Sequence, residues 1–293
     1  VRSLGAIPHE TTAINRMVKK LAARSGALSF TYEAGPCGYG LHRHLIGLGH
    51  VCDVVAPSRT PIQPGKRRVK NDTIDALNLA RLHRAGELTY IWTPDATHEA
   101  MQDLVKARRI ASQQVRKARQ RISCFLLKHG RRYEHKKWGH RHRVWLADLQ
   151  FGHVATQFAL QSYINEEEQA VDRRAQVDGQ IENLMSDWVL APIVRELTAL
   201  RGLGIVIASA VVAEVGDFSR FENPRHLMSY FGLVPGEFSS GSSIRPRGIT
   251  KAGSSDVRAL LFEAAWLYRL KPKVGQWSLV RQKSLSQAAK DIA

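Results

Sequence analysis

Cysteine is scarce in this chain. Three occur in 293 residues, Cys37, Cys52 and Cys124, and they lack the paired spacing of a zinc site. A disulfide framework and a cysteine-based metal centre are therefore not expected, and the thiols should be reduced, as in a cytosol. Long apolar runs are missing too. No stretch approaches the roughly 20 residues that a membrane-spanning helix needs, and no secretory leader pattern opens the chain. The expected location is cytoplasmic, without a membrane. Acids are in deficit, 26 against 43 Lys and Arg, giving a formal net charge of +17 and a pI near 10.2. A deficit of that size points to a polyanionic partner, nucleic acid first and an anionic membrane surface second. No internal repeat or low-complexity segment is present. A hydrophobic share of 44% supports packed cores, and the length suits two domains of about 100–200 residues each.

The pattern that is present starts with a helix over 14–23, apolar at Ile14, Met17, Val18 and Leu21. Residues 28–33 then alternate with period two, as a strand does, and stop at Gly35-Pro36. Glu33 thus falls at the carboxyl end of a strand, where open α/β sheets place ligands. A helix over 39–48 and a strand over 51–56 complete a parallel βαβ unit. After the basic loop Gln63–Lys70 a helix begins, carrying Asp72 and Asp75 one turn apart on one face. Two acids at a helix start can simply complement the helix dipole. Together with Glu33 they can also hold a hard divalent cation through oxygen.

From Met101 the apolar positions step by three and four through Leu104, Ala111, Val115, Ala118, Ile122 and Phe125, with Arg108 the polar exception. That is a long coiled-coil-like helix. Its other faces are basic, Lys117 and Arg121 among them, and from Lys106 to Arg143 Glu134 is the single acid. So one-sided a run points to nucleic-acid contact. Tyr133, Trp138 and Trp145 interleave the cations and can stack on bases or pack in a core. His140 and His142 read as part of the basic patch. A second helix carries Ala170, Arg174, Val177, Ile181, Leu184 and Trp188, with Pro192 expected to close it. The pair predicts an antiparallel arm.

Further on, Gly202 and Gly204 form a Gly-x-Gly turn between helical segments, similar to a helix-hairpin-helix. A helix is expected over 221–231. The stretch 238–258 then gathers Ser239, Ser240, Ser242 and Ser243 with glycines and Arg245, Arg247, Lys251 and Arg258. The glycines and prolines make it a loop. Hydroxyls beside cations suit a phosphate-holding site; an ordinary solvated Ser/Gly loop is the other reading.

These pieces together resemble the DEDD insertion-sequence transposases related to Piv-type DNA invertases, some of which are bridge-RNA-guided serine recombinases. The resemblance spans nearly the whole chain. It is carried by Tyr32-Glu33-Ala34-Gly35-Pro36, Val54-Val55-Ala56-Pro57-Ser58, Lys70-Asn71-Asp72-Thr73-Ile74-Asp75, Leu200-Arg201-Gly202-Leu203-Gly204, Phe231-Gly232-Leu233-Val234-Pro235-Gly236, Ser239-Ser240-Gly241 and Gly248-Ile249-Thr250-Lys251-Ala252-Gly253.

It implies a fold of class α/β plus α. An RNase H/RuvC-like domain would cover 1–95, a basic coiled-coil linker 96–192, a small helical transposase domain 193–270 and a tail 271–293. It also implies Mg²⁺ held by Glu33, Asp72 and Asp75, and Ser240 as a nucleophile that forms a phosphoserine link to DNA, with Ser239 in reserve. Expected partners are DNA of the element ends and target, a guide RNA, and further copies of the chain as a dimer or tetramer. The family's first acid has no counterpart, since the first aspartate is Asp53. The chain is therefore expected to lack the first strand or strands and to be truncated at both ends. Two other readings remain beside recombination: an inactive remnant that only binds nucleic acid, and a RuvC-like nuclease that hydrolyses with water.

Overall fold

The alternating residues at 28–33 and 51–56 meet as a parallel pair in the computed structural model, which describes residues 4–57, 60–61, 71–238, 243, 245–271, 275–283 and 285–292. These residues fall into two units, Val1–Asp95 and Ala96–Ala293.

In the first unit, strands β1 (Ser29–Glu33) and β2 (Val51–Val55) run in register from Ser29↔Val51 to Glu33↔Val55. Helix α1 (Thr11–Ser25) precedes them and α2 (Gly40–Gly47) joins them. Side chains alternate across a strand, and that alternation sorts the two faces. Phe30, Tyr32 and Cys52 turn towards α1 and α2, into one cluster with Ile14, Val18 and Leu45. Val55 turns the other way and packs with Leu79 and Leu82 of α3 (Asp72–Ala85) and with Leu88. Each fully buried aliphatic side chain contributes about 1.5–3 kcal/mol. Helix α3 starts where Asn71 Oδ1 accepts the Thr73 N–H at 2.9 Å, an N-cap, and stops at left-handed Gly86. A single antiparallel bridge adds Tyr90 beside Val55. Among the described residues the sheet is small, and the α/β expectation holds at that level.

The second unit is helical. Helices α4 (Ala96–Lys128) and α6 (Val154–Leu184) form the expected antiparallel arm. Met101 meets Ile181 at one end and Ile122 meets Leu160 at the other. Arg108, the polar exception in the seam, donates to Asp178 at 3.0 Å. Between them lies a helix that the pattern did not announce, α5 (His140–Asp148), whose Leu146 packs on the far end of the arm. Pro192 does not close the second helix. Helix α6 has already ended at Leu184, and Pro192 sits in the first turn of α7 (Ala191–Leu197), where its missing N–H costs nothing.

The Gly-x-Gly turn links α7 to α8 (Ile205–Val215). Helix α8 is apolar apart from Ser209 and Glu214, and most of it is buried: Ala208 and Val212 face the arm, while Val211 and Val215 face Phe231 and Val257. The helix expected over 221–231 is shorter. A 3-10 turn, Phe218–Arg220, comes first, and α9 (Pro224–Tyr230) begins only at its Asn223 cap. The expected loop is in part a hairpin, with β3 (Pro235–Glu237) antiparallel to β4 (Pro246–Ile249). Arg258 lies beyond it in α10 (Ser255–Ala265), which runs into a 3-10 turn, Trp266–Arg269. Helices α11 (Gln276–Gln282) and α12 (Gln287–Ile292) follow. Ser286 Oγ ties this tail to Glu196 of α7 at 2.8 Å. Among the described residues no helix is long and apolar enough to cross a membrane.

Candidate active site and nucleic-acid interface

Glu33 ends β1 on the face that α3 covers, because it shares parity with Ser29 and Thr31. Thr60 Oγ1 approaches its Oε1 at 3.5 Å. Helix α3 runs back along that face. His83, near its end, bonds Ser29 Oγ at 2.8 Å at the start of β1, and Leu79 joins the cluster of Val55, which is level with Glu33. The first turn of α3, with Asp72 and Asp75, is thereby directed towards the carboxyl ends of the strands. No three His, Cys, Asp or Glu side chains stand as a metal-holding group among the described residues. The donors are all hard carboxylate oxygens. Mg²⁺ commonly takes one or two of these and completes its shell with water and substrate phosphates, so the donor chemistry fits that ion. On the opposite face of the sheet, burial pushes the Cys52 thiol up to about 11, which leaves it inert at neutral pH. The basic loop at 62–70 lies outside the described residues.

The C-terminal hairpin stands on a crossing of two backbones. Gly232 and Gly253 both have positive φ, and a Cβ at either would fall 2.2 Å from a backbone atom of the other segment, Ala252 N or Tyr230 O. Only glycine allows so close an approach. Thr250 N–H donates to Val234 at 3.0 Å and Lys251 N–H to Gly232 at 3.1 Å. Arg258 Nη1 donates to the carbonyls of Phe231 (3.0 Å) and Gly253 (3.2 Å), and also to that of Ala252. That guanidinium clasps the crossing. Arg247 lies over the Phe238 ring at 4.7 Å, the Arg245 carbonyl accepts the Phe238 N–H at 3.0 Å, and Lys251 is exposed. The nucleophile candidates Ser239 and Ser240 lie outside the described residues.

On the arm, Arg121 pairs with Glu166, and both line a surface groove with Lys117, Gln114, Gln169 and Arg173. At the next residue of α6 the sequence reading missed a buried acid. Glu167 is almost fully enclosed and is held by Arg119 Nε at 2.7 Å and Arg143 Nη1 at 3.0 Å. His142 does not belong to the basic patch. It is buried among Tyr133, Trp138 and Trp145, and burial first, then Lys137 and Arg143, pushes its pKa down. Those three rings pack with it, with Arg119 over Trp138 at 4.9 Å.

A second acid escaped the reading. Burial first, then neighbouring Asp256, pushes the Glu214 carboxyl above its ordinary range, while a hydrogen bond with Ser254 partly restrains it. Arg109 of α4 pairs with Asp256, so this carboxylate pair links α4, α8 and α10. No run of residues marked it, because its members are far apart in sequence.

Acids at a strand end, a cation-rich arm and a cation-lined hairpin define a basic α/β-plus-helical protein built to meet a polyanion. Similarity to known proteins makes the class specific. Residues 194–276 match the transposase IS116/IS110/IS902 family. The transposase y4qE of Sinorhizobium fredii is 46% identical over 294 residues, which cover 100% of this chain and 72% of that protein. The transposase for insertion sequence element IS1533 of Leptospira borgpetersenii is 27% identical over 282 residues, 95% of this chain and 81% of that protein. The chain belongs to the IS116/IS110/IS902 transposase family.

Proposed function

We propose that this insertion-sequence transposase cuts and rejoins DNA through a serine-linked intermediate. Ser240 Oγ attacks the scissile phosphorus. An Oγ–P bond forms, the P–O3′ bond breaks, and the hydroxyl proton ends on the departing 3′ oxygen. The link conserves the phosphodiester's energy until a 3′ hydroxyl attacks it in turn. Glu33, Asp72 and Asp75 are the residues that hold Mg²⁺, within an RNase H-like unit. When bound there, the ion supplies Lewis-acid polarisation of the attacking hydroxyl and neutralises charge on the phosphoryl oxygens. Arg245, Arg247 and Lys251 bind the phosphate oxygens around the reacting centre. Lys117 and Arg121 contact flanking backbone. Arg258 serves the hairpin's base instead. The partners are DNA of the element ends and target, a guide RNA, and other copies of the chain in a homo-oligomer.

The observation that supports this reading most is the crossing of Gly232 and Gly253. It fixes the base of a hairpin between whose strands Ser239 and Ser240 fall in sequence, within the stretch that matches the family. The test is incubation of the full chain with Mg²⁺ and end-labelled DNA carrying the element ends and guide region, read on a denaturing gel. A covalent protein–DNA adduct is expected, and it should be lost in both Ser240→Ala and Asp72→Ala. Cleavage that survives Ser240→Ala would point to hydrolysis by water. Binding without adduct or cleavage would leave a nucleic-acid-binding chain.

A further inference from the structure

The rings that close α10 stand exposed at the surface. Trp266, Tyr268 and Phe262 are 52%, 54% and 64% accessible. Arg269 lies over Trp266 at 4.7 Å and Arg201 over Tyr268 at 5.6 Å, and Phe262 meets Trp266 edge-on at 5.9 Å. Arg201 is fixed there, its Nη1 donating to the carbonyls of Leu270 and Lys271 at 3.3 and 3.4 Å. It is placed by the turn that follows it. A Cβ on Gly202 would fall 2.7 Å from Ala264 O, so the Gly-x-Gly turn is seated directly on the end of α10. The result is one surface that exposes aromatic rings and cations together with Leu267 and Leu270. Between Arg258 and Lys271 the sequence holds a single acid, Glu263.

That charge decides the occupant. A second copy docking the same face about a twofold axis would bring Arg201, Arg269 and Lys271 against themselves. A strand of unpaired bases satisfies both chemistries at once, with rings stacking on rings and phosphates meeting guanidinium and ammonium groups. We propose that Trp266 and Tyr268 form a stacking platform for unpaired nucleic-acid bases, with Arg201, Arg269 and Lys271 neutralising the strand's phosphates. The platform rests on the nucleic-acid reading above but uses none of the residues assigned to strand cleavage.

The test is fluorescence anisotropy of the purified full chain with labelled oligo-dT and oligo-rU of about 20 nucleotides and with a duplex of equal length. Trp266→Ala and Tyr268→Ala should each weaken single-strand binding about tenfold and leave the duplex unaffected. Trp266→Phe and Tyr268→Phe, which keep a ring, should restore binding, and the tighter of dT and rU identifies DNA or RNA as the source. Unchanged single-strand affinity in the Ala variants would overturn the platform, as would an equal loss for strand and duplex. A drop in sedimenting mass with single-strand affinity intact would assign the face to self-association instead. A wild-type chain that binds neither strand nor duplex would sink the wider nucleic-acid reading, a result distinct from all of these.

Discussion

At the near end of the arm, Met101, Ile181, Val194 and Val212 close a dry apolar core, and the buried polar group His98 is bonded through Nε2 to the Ala213 carbonyl at 2.8 Å. At the far end α4, α5 and α6 enclose Glu167 between Arg119 and Arg143, beside His142 and its rings. The near end is set by shape, since apolar contacts alone tolerate sliding until side chains interlock. The far end is set by charge and hydrogen-bond geometry, because a buried carboxylate accepts only the arrangement that brings both guanidiniums to it. One arm therefore holds its register by two independent means.

The largest expected effect strikes the far end. Glu167→Ala leaves two guanidiniums facing each other without their anion and should cost about 3–4 kcal/mol in urea unfolding. A loss under 1 kcal/mol would mean that Arg119 and Arg143, still 27% and 36% exposed, simply rehydrate, and that charge does not set this end. Next comes Met101→Ala at the near end, a fully buried side chain, expected to cost about 2–3 kcal/mol by transfer and cavity terms. Its cost should not change with salt or between pH 5 and 8, whereas a salt-dependent cost would erase the distinction between the ends. The smallest effect concerns His142. Its folded pKa lies below the unfolded value near 6.5, so the unfolded chain binds more protons in that window. Stability is present above pH 6.5 and is lost as pH falls towards the folded pKa. Melting at pH 5.5 should lie below that at pH 7.5 on this account, and His142→Phe should flatten the difference.

Much of the first unit was legible because local rules and tertiary fit agree there. Period-two residues stop at Gly35-Pro36, and that stop alone puts Glu33 at a strand end. The steps of three and four gave α4 for the same reason. Helix α5 was hidden because Arg141, Arg143 and His140 mask its short apolar face, and only Leu146 packing on Ile122 completes it. Pro192 was read as a stop because proline closes one helix as readily as it opens the next; Val194, buried in the following turn, decides between them. For Arg258, charge alone could not reveal that carbonyls from Phe231, Ala252 and Gly253 converge on it. Charge likewise gave no hint that Glu167, one of three consecutive glutamates, is the enclosed one.

The glycine crossing beneath the hairpin works like a drawstring. It pulls the neck of the hairpin shut with backbone contacts between residues 230–234 and 250–253, none of them from a residue between β3 and β4. A loop cinched in this way can change circumference without loosening its neck, and doubling the length of a flexible loop costs only about 0.6 kcal/mol. Extra residues between β3 and β4 would lengthen the reach of the hydroxyls carried there and leave α8, α9 and α10 where they are. The neck is therefore the fixed dimension of this part of the chain.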